Sequence, residues 1–284
     1  MRIFEPHIHM TSRTTDDYEA MAAAGVTALV EPAFWLGQPR SSAGSFVDYF
    51  NALIGWERYR AAQFGIAHHC TIALNPKEAN DPGFRAEVMD ILPRYLAKDG
   101  VVGVGETGYD SITPAEDELL AAHLALAVEF ELPVLVHTPH RDKLAGTRRT
   151  LDVVKESGIA PERVLVDHNN ELTAKVVLDA GVWAGFSIYP DTKMDERRMV
   201  LLARELGTQR LVVNSAADWG RSDPLKVAKT AQAMLDGGFP EDEVARVVWD
   251  NPVTFFAQSG RLDLDAVKND ELSQGNSILR GERP

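Results

Sequence analysis

The chain has 284 residues, a formal net charge of −13 at pH 7, an apolar fraction of 45% and a single cysteine. The length admits one barrel-type domain of about 250 residues or two smaller units. The acidic balance argues against a surface built to hold duplex nucleic acid, one cysteine excludes an intrachain disulfide, and no apolar run reaches the ~18 residues of a membrane-crossing helix. Met1 to Pro6 lacks a signal-peptide core, so the sequence reads as cytoplasmic, with Cys70 a buried thiol.

Apolar, β-branched runs alternate with helical patterns along the whole chain. Ile3-Phe4 opens a first strand that runs into Glu5-Pro6-His7-Ile8-His9. Residues i and i+2 of an extended segment point the same way, so His7 and His9 are expected to face one side together. A helix over residues 16–24 stops at Gly25, and strand two follows at Thr27–Glu31. An aromatic-rich segment over 33–56 turns helical in its later half. Strand three, Ala67–Leu74, carries His68 and His69 on opposite faces, one into the sheet interior and one under a helix, neither counted as a ligand. A helix over 82–98 leads to strand four, Val101–Gly105, which ends at Glu106-Thr-Gly-Tyr-Asp110. Its two glycines, Gly103 and Gly105, fit a tight barrel interior. Pro114 opens the next helix. Strand five, Pro133–His137, is followed by a basic loop with Arg141, Lys143, Arg148 and Arg149, then a helix around 151–157. Strand six is Arg163–His168, strand seven Val182–Ile188 and strand eight Arg210–Ser215, with Asp218 just beyond. From Gly260 the chain turns polar, dividing it into a domain over 1–260 and a tail over 261–284.

Eight strands alternating with helices in one domain-sized chain predict a single (β/α)8 TIM barrel. Chemistry in such barrels sits at the carboxyl ends of the strands. Those ends carry His7, His9, Glu106, His137, His168 and Asp218. Glu106, His137 and His168 recur at intervals of 31 residues, one βα unit each, and Asp218 follows two units later. Any one of these could be a polar cap on a strand end. Together they make a donor set of four imidazoles and two carboxylates. That set suits Zn2+, Mn2+ or Fe2+ better than Ca2+ or a lone Mg2+. Six ligands exceed what one catalytic ion with an open position needs, so two divalent metals with Glu106 between them fit the count.

The motifs His7-Ile-His9, Gly103-Val-Gly-Glu106-Thr-Gly-Tyr-Asp110, Val136-His137-Thr-Pro139, Asp167-His168 and Asn251-Pro-Val-Thr-Phe255 resemble the TatD-like branch of the metal-dependent hydrolases, the amidohydrolase-type barrels. The resemblance spans about residues 1–258 and extends to the hydrolases that accompany bacterial ebo-type gene clusters. It implies that His7, His9 and the strand-eight Asp hold one metal, that His137 and His168 hold the other, and that Glu106 bridges. Three positions depart from the family pattern. Glu5 replaces the commoner Asp, strand three ends Ala73-Leu-Asn-Pro-Lys77 without a substrate-facing His, and the strand-eight Asp is displaced to Asp218. The missing His argues against the family's deoxyribonuclease activity.

The mechanism expected of such a site is water activation against a small ester, lactone, amide or phosphoester. Glu106 bridges the metals, and Asp218 orients the water and takes its proton. Arg141 and Lys143 are candidates to clamp an anionic substrate, Phe34 and Trp35 to wall the pocket, and Tyr109, Asn169 and Asn170 to touch substrate. The expected partner is a small molecule, with no stable nucleic-acid complex and no membrane; the sequence is silent on oligomeric state. A TatD-type phosphodiesterase, a metal-assisted lyase or isomerase, and a non-catalytic barrel remain open alternatives.

Overall fold

Each apolar run of the sequence pairs with the next. In the computed structural model, which describes residues 1–35, 37 and 40–265, the strands are β1 (Ile3–Glu5), β2 (Val26–Pro32), β3 (Ala67–Ile72), β4 (Val101–Gly108), β5 (Val134–His137), β6 (Val164–Val166), β7 (Trp183–Ser187) and β8 (Leu211–Asn214). All neighbours are parallel and follow chain order from β1 to β8. The seam closes just beyond the strand ends: Ala216 N–H donates to His7 O at 2.8 Å and His9 N–H to Ala217 O at 2.9 Å. Glu5 latches the same seam, accepting from Ser215 N at 3.1 Å and from His7 N at 3.2 Å. This is the expected (β/α)8 barrel. Among the described residues, no helix is long and apolar enough to cross a membrane.

Local chemistry sets the helix starts. Thr113 accepts from Glu116 N, while Glu116 reaches back to Thr113 N, and Pro114 occupies the first turn of the helix Pro114–Glu129. Asp195 caps the helix Glu196–Leu206 by accepting from Arg198 N at 2.8 Å. Most strand ends shift by one to three residues from the sequence reading, and one boundary changes the setting of candidate residues. The helix after β5 spans Lys143–Ser157, so Lys143, Arg148 and Arg149 lie on a helix and not in a basic loop. Its polar first turns carry no apolar periodicity, which is why they read as loop.

Two apolar layers build the core. One fills the annulus between strands and helices. The other is the barrel floor, to which every strand contributes: Phe4, Ala28 with Val30, Ala67, Val102, Leu135, Leu165, Trp183 and Val212. Phe255 and Phe256, fully buried on the helix Asn251–Ala257, belong to this layer. Burial of a Phe side chain contributes about 2–3 kcal/mol. Leu262 and Leu264 pack on the same cluster, so the first residues of the expected tail lie against the barrel. The rest of that tail, 266–284, lies outside the described residues.

The paired histidines of β3 divide as the strand period requires. His68 turns outward to Glu31 Oε2 at 3.0 Å, and His69 Nε2 meets the Asp263 carbonyl at 2.6 Å. Thr71, two residues on from His69, reaches the Gly105 carbonyl at 2.9 Å.

His123, buried on the helix Pro114–Glu129, ties that helix to the strand ends. Leu74 N–H donates to its Nε2 at 3.2 Å, and its Nδ1 lies 2.8 Å from Thr107 Oγ1. Burial pushes its pKa down to about 3. The folded value lies below the unfolded value near 6.5, so the neutral ring is linked to folding. Its contribution is complete above pH ~6.5 and is lost as pH falls toward the folded pKa. At pH 5 the loss is about 2 kcal/mol. His123→Gln removes this group, so urea midpoints should fall less between pH 7 and pH 5 in the variant than in the wild type. Equal falls in both would contradict the assignment.

Candidate metal centre

The layer above the barrel floor is polar, and the strand period explains why. His137 follows Leu135 by two residues, Asp167 follows Leu165, Asn214 follows Val212, and Ser187 follows Trp183 by four. Each therefore points inward above an apolar floor residue. Gly185 sits between Trp183 and Ser187 on the same face. A Cβ there would lie 2.4 Å from Asp167 Oδ1, so glycine makes room for that carboxylate.

Asp167 is the hub. Its Oδ2 lies 2.6 Å from His7 Nδ1, its Oδ1 accepts from His168 N at 2.7 Å, and both oxygens accept from Asn214 Nδ2, at 2.9 and 3.1 Å. Burial opposes its charge, but His168 and His7 hold its carboxyl well below the usual range. An ionised carboxylate only accepts, so His7 carries its proton on Nδ1 and turns a lone pair outward on Nε2. Asn214 Oδ1 takes the Ser187 hydroxyl proton at 2.7 Å. Ser187 then accepts from His168 Nδ1 at 2.6 Å, which leaves a lone pair on His168 Nε2.

Both lone pairs converge on Glu106. His168 Nε2 is 3.0 Å and His7 Nε2 3.9 Å from Glu106 Oε1. The ligand atoms of His7, Glu106 and His168 lie within 4.8 Å of one another, all buried. His137 Nδ1 approaches the same Glu106 oxygen at 2.8 Å, and Asn75 Nδ2 donates to Oε2 at 3.0 Å. Burial would raise the Glu106 carboxyl, yet His137, His168 and His7 pull it well below its ordinary value. His9 Nε2 lies 3.1 Å from His7 Nε2, while its buried Nδ1 has no hydrogen-bond partner. Burial, with His7 beside it, lowers His9 to about 3, and burial likewise pushes His168 well down. Neutral imidazoles and an ionised carboxylate aimed at one point, with the protons consumed behind them, form a donor set that fits a divalent cation.

All six residues expected from the sequence line one cavity of about 240 Å³. Five draw together around Glu106. Asp218 lines the cavity but turns its Oδ1 to the Tyr189 hydroxyl at 2.8 Å and to Gly220 N at 2.9 Å. Lys143 is spent on Thr138 Oγ1 and the His168 carbonyl, and Arg141 is exposed, so neither forms the expected anion clamp. Tyr109 donates to Asp117, Asn169 holds the Val166 carbonyl, and Asn170 binds Leu172 N, so all three serve the loops. Phe34 does wall the cavity, stacked on His9 with ring centroids 4.1 Å apart. Arg40, packed between Phe46 and Tyr49, holds the Phe34 carbonyl at 2.6 Å. The sequence reading gave no role to Asn75, Ser187 or Asn214, nor to His140 and Lys193, which also line the cavity. Their one signal is position: Asn75, Ser187 and Asn214 sit at or just past strand ends.

Comparison with known proteins bears on the family and the fold. Residues 5–257 match the family model described as TatD related DNase. Over 256 residues the chain is 24% identical to an uncharacterized metal-dependent hydrolase of Methanocaldococcus jannaschii, covering 89% of this chain and 99% of that one. The crystal structure of a TatD-like protein from Archaeoglobus fulgidus has a TM-score of 0.74 at 25% identity, covering 89% of this chain and 99% of its own. A phosphotriesterase homology protein from Escherichia coli, complexed with phosphate in its active site, shares the fold with a TM-score of 0.67 at 16% identity, over 90% of this chain and 98% of its own.

Asp167→Asn retains the shape but replaces the acceptor that fixes the His7 tautomer. Loss of such a partner typically weakens metal affinity about 10–100-fold. Competition with a metal-binding dye should show that drop with little change in the far-UV spectrum. An unchanged affinity would remove Asp167 from the centre.

Proposed function

We propose, from the premise that the chain belongs to the TatD related DNase family, that this metal-dependent hydrolase uses a binuclear site against a small ester, lactone, amide or phosphoester. The observation that carries the reading is the convergence of the His7 and His168 lone pairs on Glu106 Oε1. His7 and His9 would hold one divalent cation with Asp218 as the strand-eight ligand. His137 and His168 would hold the other, and Glu106 would span both. Nitrogen-rich ligation of this kind suits Zn2+, Mn2+ or Fe2+, and Mg2+ less well. Bound divalent cations supply Lewis acidity and bring water ionisation near neutral pH.

The chain's own residues do the rest. Asp167 and Ser187 hold His7 and His168 in their ligating tautomers. Asn75 keeps Glu106 aligned through Oε2. Tyr189 and Gly220 N orient Asp218 through Oδ1, leaving Oδ2 to accept the proton of the attacking water. Phe34 and Trp35 exclude solvent from one side of the cavity. The cavity volume and the charge of −13 support a small substrate over a nucleic acid.

Protein purified without chelator should contain about two metal ions per chain. His7→Ala and Glu106→Ala should each lose at least one by elemental analysis, and a chelator should abolish hydrolysis. Turnover in 18O-labelled water should place label in the product. Product free of label would favour a lyase or isomerase, and wild-type metal content in both variants would refute the site.

A further inference from the structure

We propose that Lys193 anchors a second anionic group of the substrate: the molecule hydrolysed carries a carboxylate or phosphate apart from its scissile bond. This deepens the hydrolase reading and rests on it for the position of the reacting end. Lys193 lies between β7 and the helix Glu196–Leu206 and lines the same cavity as Glu106 and His168. Its backbone is pinned, because Arg198 donates to the Lys193 carbonyl at 2.8 Å while pairing with Glu171 at 2.6 Å. Among the described residues its ammonium has no hydrogen bond and no carboxylate within ion-pair range, and rests 5.0 Å over the Tyr189 ring.

The other cations near the mouth are committed. Lys77 pairs with Asp110 at 2.6 Å and lies over Trp35, and Lys143 is bound to Thr138 and His168. A partly buried ammonium without a counter-ion is costly, and a bound anion removes that cost. Asp167, Glu106 and Asp218 attract Lys193 from across the cavity, but none lies within ion-pair range of it among the described residues. A direct partner for the ammonium would therefore come from outside the protein. The cavity, at about 240 Å³, is smaller than the usual drug-sized pocket of roughly 300–1,000 Å³. A short molecule could meet the metal centre at one end and Lys193 at the other, its body against Phe34 and Trp35.

Two probes of equal length test this. Glutarate carries an anion at both ends and pentanoate at one. Calorimetry on the metal-loaded protein should find glutarate bound about tenfold or more tightly than pentanoate, the scale of one charge-assisted hydrogen bond. Lys193→Gln should shrink that ratio to about two- to threefold while keeping wild-type metal content, and Lys193→Arg should restore part of it. In a second arm, 4-phosphonobutyrate binding above glutarate, with the excess lost in Lys193→Gln, identifies phosphate as the preferred anion; the reverse order identifies carboxylate. A wild type that does not prefer glutarate, or a Lys193→Gln protein that keeps the preference, overturns the proposal. A preference lost in Lys193→Gln without turnover of any ester, lactone, amide or phosphoester removes the hydrolytic reading and leaves the anchor standing.

Discussion

The site depends on where the protons of one buried network go. Asp167 receives donors from His7, His168 and Asn214 and stays ionised, and Ser187 passes its only proton to Asn214. Two imidazoles are thereby left with lone pairs facing a carboxylate that is itself only an acceptor. In a dry interior such a meeting of acceptors costs several kcal/mol unless a cation lies between them. The demand for metal is thus written into hydrogen bonds on the far side of the ligands. Asp167 and Ser187 touch the centre only through His7 and His168.

The barrel produces this network by stacking two layers with opposite chemistry. Apolar residues from all eight strands fill the floor, and inward positions above it, at or just past the ends of β5 to β8, bring in His137, Asp167, Ser187 and Asn214. The floor is apolar, with the Trp183 Nε1–H spent on the Glu162 carbonyl, so the polar layer above finds its partners within itself and at the strand ends. Gly185 and the Glu5 latch show how tight the fit is. One leaves space for a carboxylate, and the other closes the seam that carries the His7–His9 segment. Burial pushes the Glu5 carboxyl up to about 8, against which the Ser215 and His7 N–H groups pull, so even the latch is set by desolvation against backbone donors.

The strands and most of the residues that meet at the candidate centre were legible because they obey a one-dimensional rule. An apolar run ends in a His or Glu, and the interval of 31 residues repeats it. The supporting groups obey no such rule. Asn214 meets Asp167 across 47 residues and Ser187 across 27, and an Asn or Ser at a strand end looks like any polar cap. Asp218 was legible as a residue at the mouth, but its engagement with Tyr189 was not, because the two sit 29 residues apart on the separate connections that follow β7 and β8. His168 shows the same limit. β6 stops at Val166, and the ring reaches the centre through a left-handed backbone, φ 60°, that no pattern announces. The first two turns of the helix from Lys143 were read as loop for the opposite reason: regular backbone without an apolar stripe.

The mouth does not share the strongly acidic balance of the whole chain. The chain carries a net −13, yet Lys77, Lys193 and His140 line the cavity, with Lys143 directly behind. Burial and the neighbouring lysines lower His140 to about 4, so it stays neutral and leaves the positive field to the ammonium groups. Glu106 and Asp218 line the same cavity, so the ammonium groups offset its carboxylates and the cleft lacks the acidic excess of the exterior. A polyanion gains no more than a small anion from this mouth, because only a few of its charges can reach it. The remainder lie against an acidic exterior and repel it, and none of the counterion release that drives nucleic-acid binding is available there. The contrast between an acidic exterior and a mouth with cations in it thus favours an ion small enough to enter over one that must also lie along the outer surface.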